Sequence, residues 1–540
     1  MKRTVLLATL MAFFILKSDA QDVVGTANQI LPQDYQLYQK FNKAVYDRNA
    51  KFHSSIRGFY SDDVRLRPTY ESLMNVGVDT LNKRTWIHRK LFKEHLIDLS
   101  TDEYNLYADI LVDFQVGKDF SGDRGTWLNT RGFQVGGNVG EKFSFYLNGF
   151  ENQGKFANYV NDFIITNQVV PGQGFGKLAT DQQDWAYVTA LLSYSPNKHL
   201  NFALGHDKNF IGDGYRSMLL SDNSSNYSFF RLRASLGSLQ YQTIYAYMLD
   251  PGAPKLALDR RLGDRGKWMA AHYLDWNVTN KLSLGFFQAV TWADAEIEGK
   301  RGFDFNYVHP FVFLRPIENT NTTSPDKMRL GFNAKYELLD KTAIYGQFMF
   351  DEFTAKEFFK GDGYWANKWA VQLGFRGADL FNIAGLNYLG EFNTARPYTY
   401  AHFDRLSNYA NYNQALAHPF GANFREFLGL LNYSYKRFDF QGQAIYAAYG
   451  LDGTGENYGK DIFKNYNTRS LNYGSKVGQG IATDLYMLQG KVAYVLNPKY
   501  NLRLELGGVY RQEKNTSLNH KTKMLTFGLR TSFRNLYYDF

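Results

Sequence analysis

The sequence predicts an all-β transmembrane barrel of about eighteen antiparallel strands, with a small helical N-terminal periplasmic element. Three observations lead there. First, aromatic residues are 17% of the 540 residues, with 39 Tyr and 44 Phe, an excess suited to the interfacial girdles of a membrane barrel. Second, mean hydropathy is −0.41, too polar for a bundle of membrane helices but expected where every second strand residue faces water or the lumen. Third, tight turns alternate with long loops, the asymmetry of a bacterial barrel with short turns inside and long loops outside.

Taken in order, residues 1–20 read as a secretory signal. Lys2 and Arg3 precede an apolar core from Val5 to Leu16, and Ser18-Asp19-Ala20 forms a small-x-small cleavage site. Residues 21–103 lack membrane-type alternation and read as a periplasmic or plug-like region with helices. Gln33 to Ala50 carries Tyr35, Leu37, Tyr38, Phe41, Ala44 and Val45 at helical spacing, and Thr85 to Ile97 offers a second helix. Cysteine is absent, which excludes disulfides, thiol nucleophiles, Cys-ligated metal sites and a lipoprotein anchor. The formal charge of +9 points weakly to acidic partners such as anionic glycans or lipopolysaccharide phosphates.

From residue 104 the barrel begins. Turns at Gly140-Glu141-Lys142, Pro196 to His199, Thr279 to Lys281, Asp340-Lys341, Lys436-Arg437 and Asn497 to Lys499 each precede clean alternation, such as Tyr500, Leu502, Leu504 and Leu506. Weaker turns fall near Ser238 and Asp379. Eight such turns join sixteen strands; one strand near Asn105–Val116 and one at Thr522–Phe540 complete eighteen, and these two are expected to close the barrel over residues 104–540. The terminal Phe540, with Tyr538 and Leu536 at steps of two, is similar to an end strand read by the barrel-assembly machinery. A phase slip near Arg534 suggests a bulge.

The stretch Asn201 to Arg233 holds two aromatic strands joined by GHDKNFIGDGYRS and a Ser/Asn-rich return. It resembles the Wzi-type capsule-assembly outer-membrane proteins, including their RemB-type gliding-motility members from Bacteroidetes. Further segments share the resemblance, which runs from about Phe52 to Phe440: Asn129 to Gly132, Phe150 to Gln153, Pro171 to Gly174, His309-Pro310 with Arg315-Pro316, Asp351 to Phe353, Arg396 to Tyr398, and His418 to Phe424 with Glu426. The resemblance implies an 18-stranded outer-membrane barrel with a helical periplasmic element. It also implies non-catalytic binding or organising of capsular polysaccharide at the surface, and supplies no catalytic residues.

The candidate site residues are His206, Asp213, Tyr215, Arg216, Arg315 and Arg396. Two readings stay open. These groups pair across a wide lumen, whose interior needs such partners, or they form a basic, aromatic-lined site for an acidic glycan. By strand counting the Gly205–Asn226 loop is expected on the outside, contributing to that site. A solute-conducting porin is an alternative. A less favoured one is a hydrolase built on His206, Asp207, Asp213 and Ser217, although no nucleophile elbow is present. The run Gly172 to Lys177 lacks the spacing of a phosphate loop and reads as an outer loop. His309, His402 and His418 are scattered, so neither metal nor cofactor is expected. The expected partners are anionic surface polysaccharide, outer-membrane lipid and lipopolysaccharide, the barrel-assembly machinery, and gliding or capsule-export proteins. No nucleic acid is expected.

Overall fold

The computed structural model describes residues 29–78, 84–174, 176–254, 265–296, 299–310 and 326–540. The signal segment lies outside these residues. Eighteen antiparallel strands form the wall. They are β1 Tyr104–Asp119, β2 Arg124–Val139, β3 Phe143–Lys155, β4 Gln183–Asn197, β5 Leu200–Asp207, β6 Tyr227–Leu236, β7 Leu239–Asp250, β8 Arg265–Asn277 and β9 Leu282–Ala293. The second half comprises β10 Lys327–Leu339, β11 Thr342–Glu352, β12 Lys368–Gly377, β13 Leu386–Ala395, β14 Phe424–Tyr435, β15 Phe438–Leu451, β16 Ile481–Asn497, β17 Leu502–Lys514 and β18 Asn519–Arg530. The inner connections fall at the eight turn positions read from the sequence, the two weaker ones included. The outer connections are mostly long, but 120–123 and 515–518 are short turns.

Alternation sets the two faces of the wall. On β14, Phe424, Glu426, Leu428 and Leu430 are buried, whereas Arg425, Phe427 and Leu431 point out. Exposed Ile110, Val188, Leu204, Leu373, Leu488 and Phe527 belong to an apolar belt around the outside. Exposed Tyr194, Trp276, Tyr336, Tyr435 and Tyr494 near the inner turns form an aromatic girdle at its lower edge.

The barrel closes between β1 and β18, from Phe114 opposite Leu529 to Asp119 opposite Met524. The final strand is shorter than the sequence suggested. It stops at Arg530, and residues 531–540 turn inward and run through the lumen. Two features stop it. Ser532 takes a left-handed φ of 66°, which breaks the extended run. The Arg530 and Arg534 guanidiniums fold onto the buried Asp113 carboxylate, at 2.6 and 2.7 Å. The slip near Arg534 is therefore the exit of the chain from the wall, and Phe540 ends no strand. Phe540 packs instead on Phe163, with ring centroids 4.5 Å apart.

Below Phe114 the inner half of β1 pairs with a short strand, Ile97–Ser100, through Ala108. The predicted helix over Gln33–Ala50 is two short pieces, α1 Tyr35–Gln39 and α2 Asn42–Val45. Asp34 caps α1 by accepting from Gln36 and Leu37 backbone N–H groups. Lumen contacts, rather than helical continuity, set this conformation. The Tyr35 N–H donates to Asn535, Lys40 bonds Asp439 and Arg376 bonds Asn42. A third helix, α3 Arg67–Met74, was not foreseen. The helix expected at Thr85–Ile97 covers α4 Trp86–Phe92 and is capped by Thr85.

Candidate functional site

The segment between β5 and β6 leaves the outer end of the wall, as expected, but does not remain outside. Residues 208–226 fold back into the lumen and are buried there except for Asn223. Ile211 bridges to Ile56 of the N-terminal segment, and the Gly212 N–H donates to the Ser55 carbonyl at 2.7 Å. Gly212 has a φ of 143°, and any Cβ there would collide with the Gln347 amide. The outer connection 396–423 folds in beside it. Tyr400 and Tyr409 hydroxyls donate to the Met218 and Leu219 carbonyls, at 2.8 and 2.7 Å.

This inward folding brings Asp213, Tyr215 and Arg216 into one buried network. Arg216 reaches Asp539 of the C-terminal tail at 3.2 Å and Glu426 of β14 at 3.3 Å. Tyr215 donates to Asp539 at 2.8 Å, and Gln443 of β15 to the same carboxylate at 2.6 Å. The other Glu426 oxygen accepts from Asn393 and pairs with His418, at 2.8 and 2.7 Å. Asp213 accepts from Tyr46, just after α2, and from Asn333 of β10. The network joins four parts of the chain: the N-terminal segment, the inserted loop, the wall and the tail. Glu391, which accepts from the Tyr215 and Arg216 backbone N–H groups, and Asp539 were not singled out in the sequence. The alternation of β13 places Glu391 on the inward face with Asn387 and Asn393, but nothing about Asp539 marks it as a lumen residue.

The other candidates lie elsewhere. His206 is exposed on the outer face of β5, its Nδ1 3.1 Å from the Ser228 hydroxyl. Ser217 is fully buried in the lumen and donates to the Ile211 carbonyl at 2.6 Å. The barrel wall thus separates the histidine and serine of the suggested hydrolase set. Arg315 lies outside the described residues.

Arg396 belongs to a second group, at the outer end of the barrel. Its guanidinium donates to the backbone carbonyls of Tyr364 and Ser475, at 3.3 and 3.0 Å, tying two outer loops together. Burial pushes its pKa down from the usual arginine value. Around it Trp365 packs on Tyr466 with centroids 5.0 Å apart, and the Arg469 guanidinium lies 4.0 Å over the Trp365 ring. Tyr364 and Tyr473 approach to 5.3 Å, and Tyr473 remains 51% exposed with Phe403 at 37%. These rings and guanidiniums form an aromatic surface with cationic edges, which suits the faces and acid groups of a sugar polymer.

His402 supports this group from below, its ring 5.5 Å from Tyr466. Burial, reinforced by Lys327, Arg329 and Lys368, pushes its pKa down to about 3. An unfolded imidazole binds its proton near pH ~6.5. The unfolded chain therefore gains protons that the folded chain refuses as pH falls from there towards 3, and stability drops over that window. His402→Phe is expected to flatten this part of the acid dependence of the unfolding midpoint. An unchanged slope between pH 6.5 and 4 would reject the assignment.

No family model and no curated protein matches the sequence. Solved structures do. Wzi of Escherichia coli, described as an outer membrane protein involved in group 1 capsule assembly and a carbohydrate-binding β-barrel, superposes with a TM-score of 0.53. Identity is 13%, over 94% of this chain and 100% of that one. The chain is similar in fold to Wzi. OprD of Pseudomonas aeruginosa has a TM-score of 0.41 at 11% identity, over 78% of this chain and 94% of its own. OccAB2 of Acinetobacter baumannii has a TM-score of 0.41 at 8% identity, over 78% and 97%. The closed eighteen-strand wall and its apolar belt, shared in architecture with Wzi, place the protein in the outer membrane.

Proposed function

We propose that the protein is a non-catalytic outer-membrane barrel that binds or organises an anionic surface polysaccharide. The observation that carries this reading is the outer-end cluster, where Arg469 lies over Trp365 and Tyr473 stands exposed beside Tyr364. The fold likeness to Wzi, itself described as carbohydrate-binding, supports it. The Arg216 network has a different part. Its groups are bonded to one another, and it holds the inserted loop, the tail and residues 29–66 as a plug.

A solvent-exposed Arg–carboxylate contact contributes only about 0–1 kcal/mol. Useful affinity therefore comes from many repeats of one polymer meeting many barrels. Binding of purified polysaccharide to protein-bearing vesicles is expected to weaken with salt and to fall about tenfold in apparent affinity (about 1.4 kcal/mol) in a Tyr473→Ala, Arg469→Ala variant. Undiminished binding by that variant would remove this surface from the reading. In cells, a deletion strain is expected to shed polysaccharide that the parent retains. Normal retention with lost gliding would transfer the role to motility, and altered solute uptake alone would favour a porin.

A further inference from the structure

At the opposite, periplasmic end a cavity of about 440 Å³ opens between α3, the Ile97–Ser100 strand and the inner faces of β1 to β3. Its volume lies in the range of small-molecule sites. Three kinds of surface line it. Asn105, Gln134 and Asn148 offer amides from the wall, and Tyr70 offers a ring beside Tyr107, whose own ring is stacked on His95 at 4.4 Å. Leu37 and Met74 provide apolar floor.

A small alcove of about 40 Å³ adjoins it, sharing Pro32, Tyr146, Asn148 and Phe533 as walls. Lys208 and Arg534 reach this alcove, and the Lys208 Nζ and Arg534 Nε atoms are buried with no hydrogen-bond partner among the described residues. Lys208 is 9% exposed. Donors left in this state are costly, so the alcove calls for an acceptor.

Charge balance says which kind. At the mouth Arg67 pairs with Glu71 at 2.8 Å, and Asp98 and Glu94 act on Lys499. Further in, His95 meets Asp109 at 2.6 Å. In the alcove Arg534 holds Asp113 at 2.7 Å, and Lys208 faces Asp222 and Asp207. Each of these cations already has at least one carboxylate, so the orphaned donors call for a neutral acceptor and not an anion. A ligand with hydroxyls for the amides, a ring face for Tyr70, a neutral carbonyl for the donors and a methyl for Phe150, Phe533 and Leu536 of the alcove is an N-acetylated sugar.

We propose that this cavity is a periplasm-facing site for an N-acetylhexosamine saccharide, whose acetamido carbonyl accepts from Lys208 and Arg534 while its ring lies against Tyr70. The site is independent of the outer cluster and of the reading given to it.

The test uses the full mature chain in amine-oxide micelles, since maltoside detergents would compete. The probes are N,N′-diacetylchitobiose and cellobiose, which share ring and linkage and differ in the acetamido groups. Calorimetry is expected to show the acetylated disaccharide binding at least tenfold more tightly. Lys208→Met is expected to erase that discrimination, and Asn105→Trp, which fills the chamber, to abolish binding of both. Ser517→Ala, in the exposed outer turn, is expected to leave both unchanged. If either cavity variant fails to fold, photo-crosslinking of the probe to the wild-type chain decides, with labelling expected on residues 29–37, 67–75 or 97–107. Equal affinity for the two probes, no binding of either, or labelling elsewhere would overturn the proposal. So would binding that appears only after residues 21–28 are deleted, since the chain's own segment would then be the occupant. Cell-wall glycan fragments and fragments of the cell's own surface polymer, run in parallel, distinguish the two natural sources of such a sugar.

Discussion

Purified protein reconstituted in planar bilayers is expected to pass little ion current, and deletion of residues 531–540 to produce large, stable openings. The tail is a ten-residue strut, up to ~33 Å long if fully extended, comparable to the hydrocarbon thickness of a bilayer. It leaves the inner end of β18 and crosses the bore, ending where the Phe540 carbonyl accepts from Arg511 at 3.1 Å. Along the way Asn535 and Tyr537 bond Asp222, and Asp539 bonds Arg216, Tyr215 and Gln443. Because the tail adds nothing to the strand ladder, the truncated chain is expected still to form a heat-modifiable barrel. Loss of folded barrel on truncation would instead return the last residues to an assembly role. Low conductance in both forms would show that the inserted loop and the N-terminal segment suffice to close the lumen.

The second large effect is expected at Arg216. Arg216→Met leaves Glu426 and Asp539 buried without their cation, a loss of about 3–5 kcal/mol for removing one partner of a buried pair. The unfolding midpoint in denaturant is expected to fall accordingly. Adding Asp539→Asn is expected to recover part of the loss, because the uncompensated charge goes with it. A midpoint within about 0.5 kcal/mol of wild type, the scale of ordinary surface substitutions, would show that Arg216 is not a keystone of the plug.

The wall was legible because its signals are local. Gly140, Asn280, Lys341 and Lys436 sit in short turns between alternating runs, and turn chemistry with period two is enough to place both. The lumen was not legible, for a physical reason. Its filling is polar, so Asp213, Arg216 and Ser217 look like an exposed loop although each is 3% exposed or less. The tail misled differently. Leu536, Tyr538 and Phe540 alternate as a strand would, yet the extended tail inside the bore has the same period, and Tyr537 and Asp539 are the more deeply buried residues. The helical spacing of Tyr35, Tyr38 and Phe41 reflects the same ambiguity, since those side chains are placed by lumen partners over two short helices. At the outer cluster, Trp365 comes from one loop and Tyr466, Arg469 and Tyr473 from another, 452–480, and no spacing in the sequence joins the two.

The course of the last ten residues also dictates how the protein is to be handled. A purification tag, reporter or tether fused after Phe540 would start between Phe163 of the outer connection and Arg511, one residue from Asp539, and is expected to loosen the Asp539 pair with Arg216. The four-residue turns at 120–123 and 515–518 carry no such burden, as both sit at the outer rim and face solvent. Epitopes meant to report surface display belong there, clear of the lumen network.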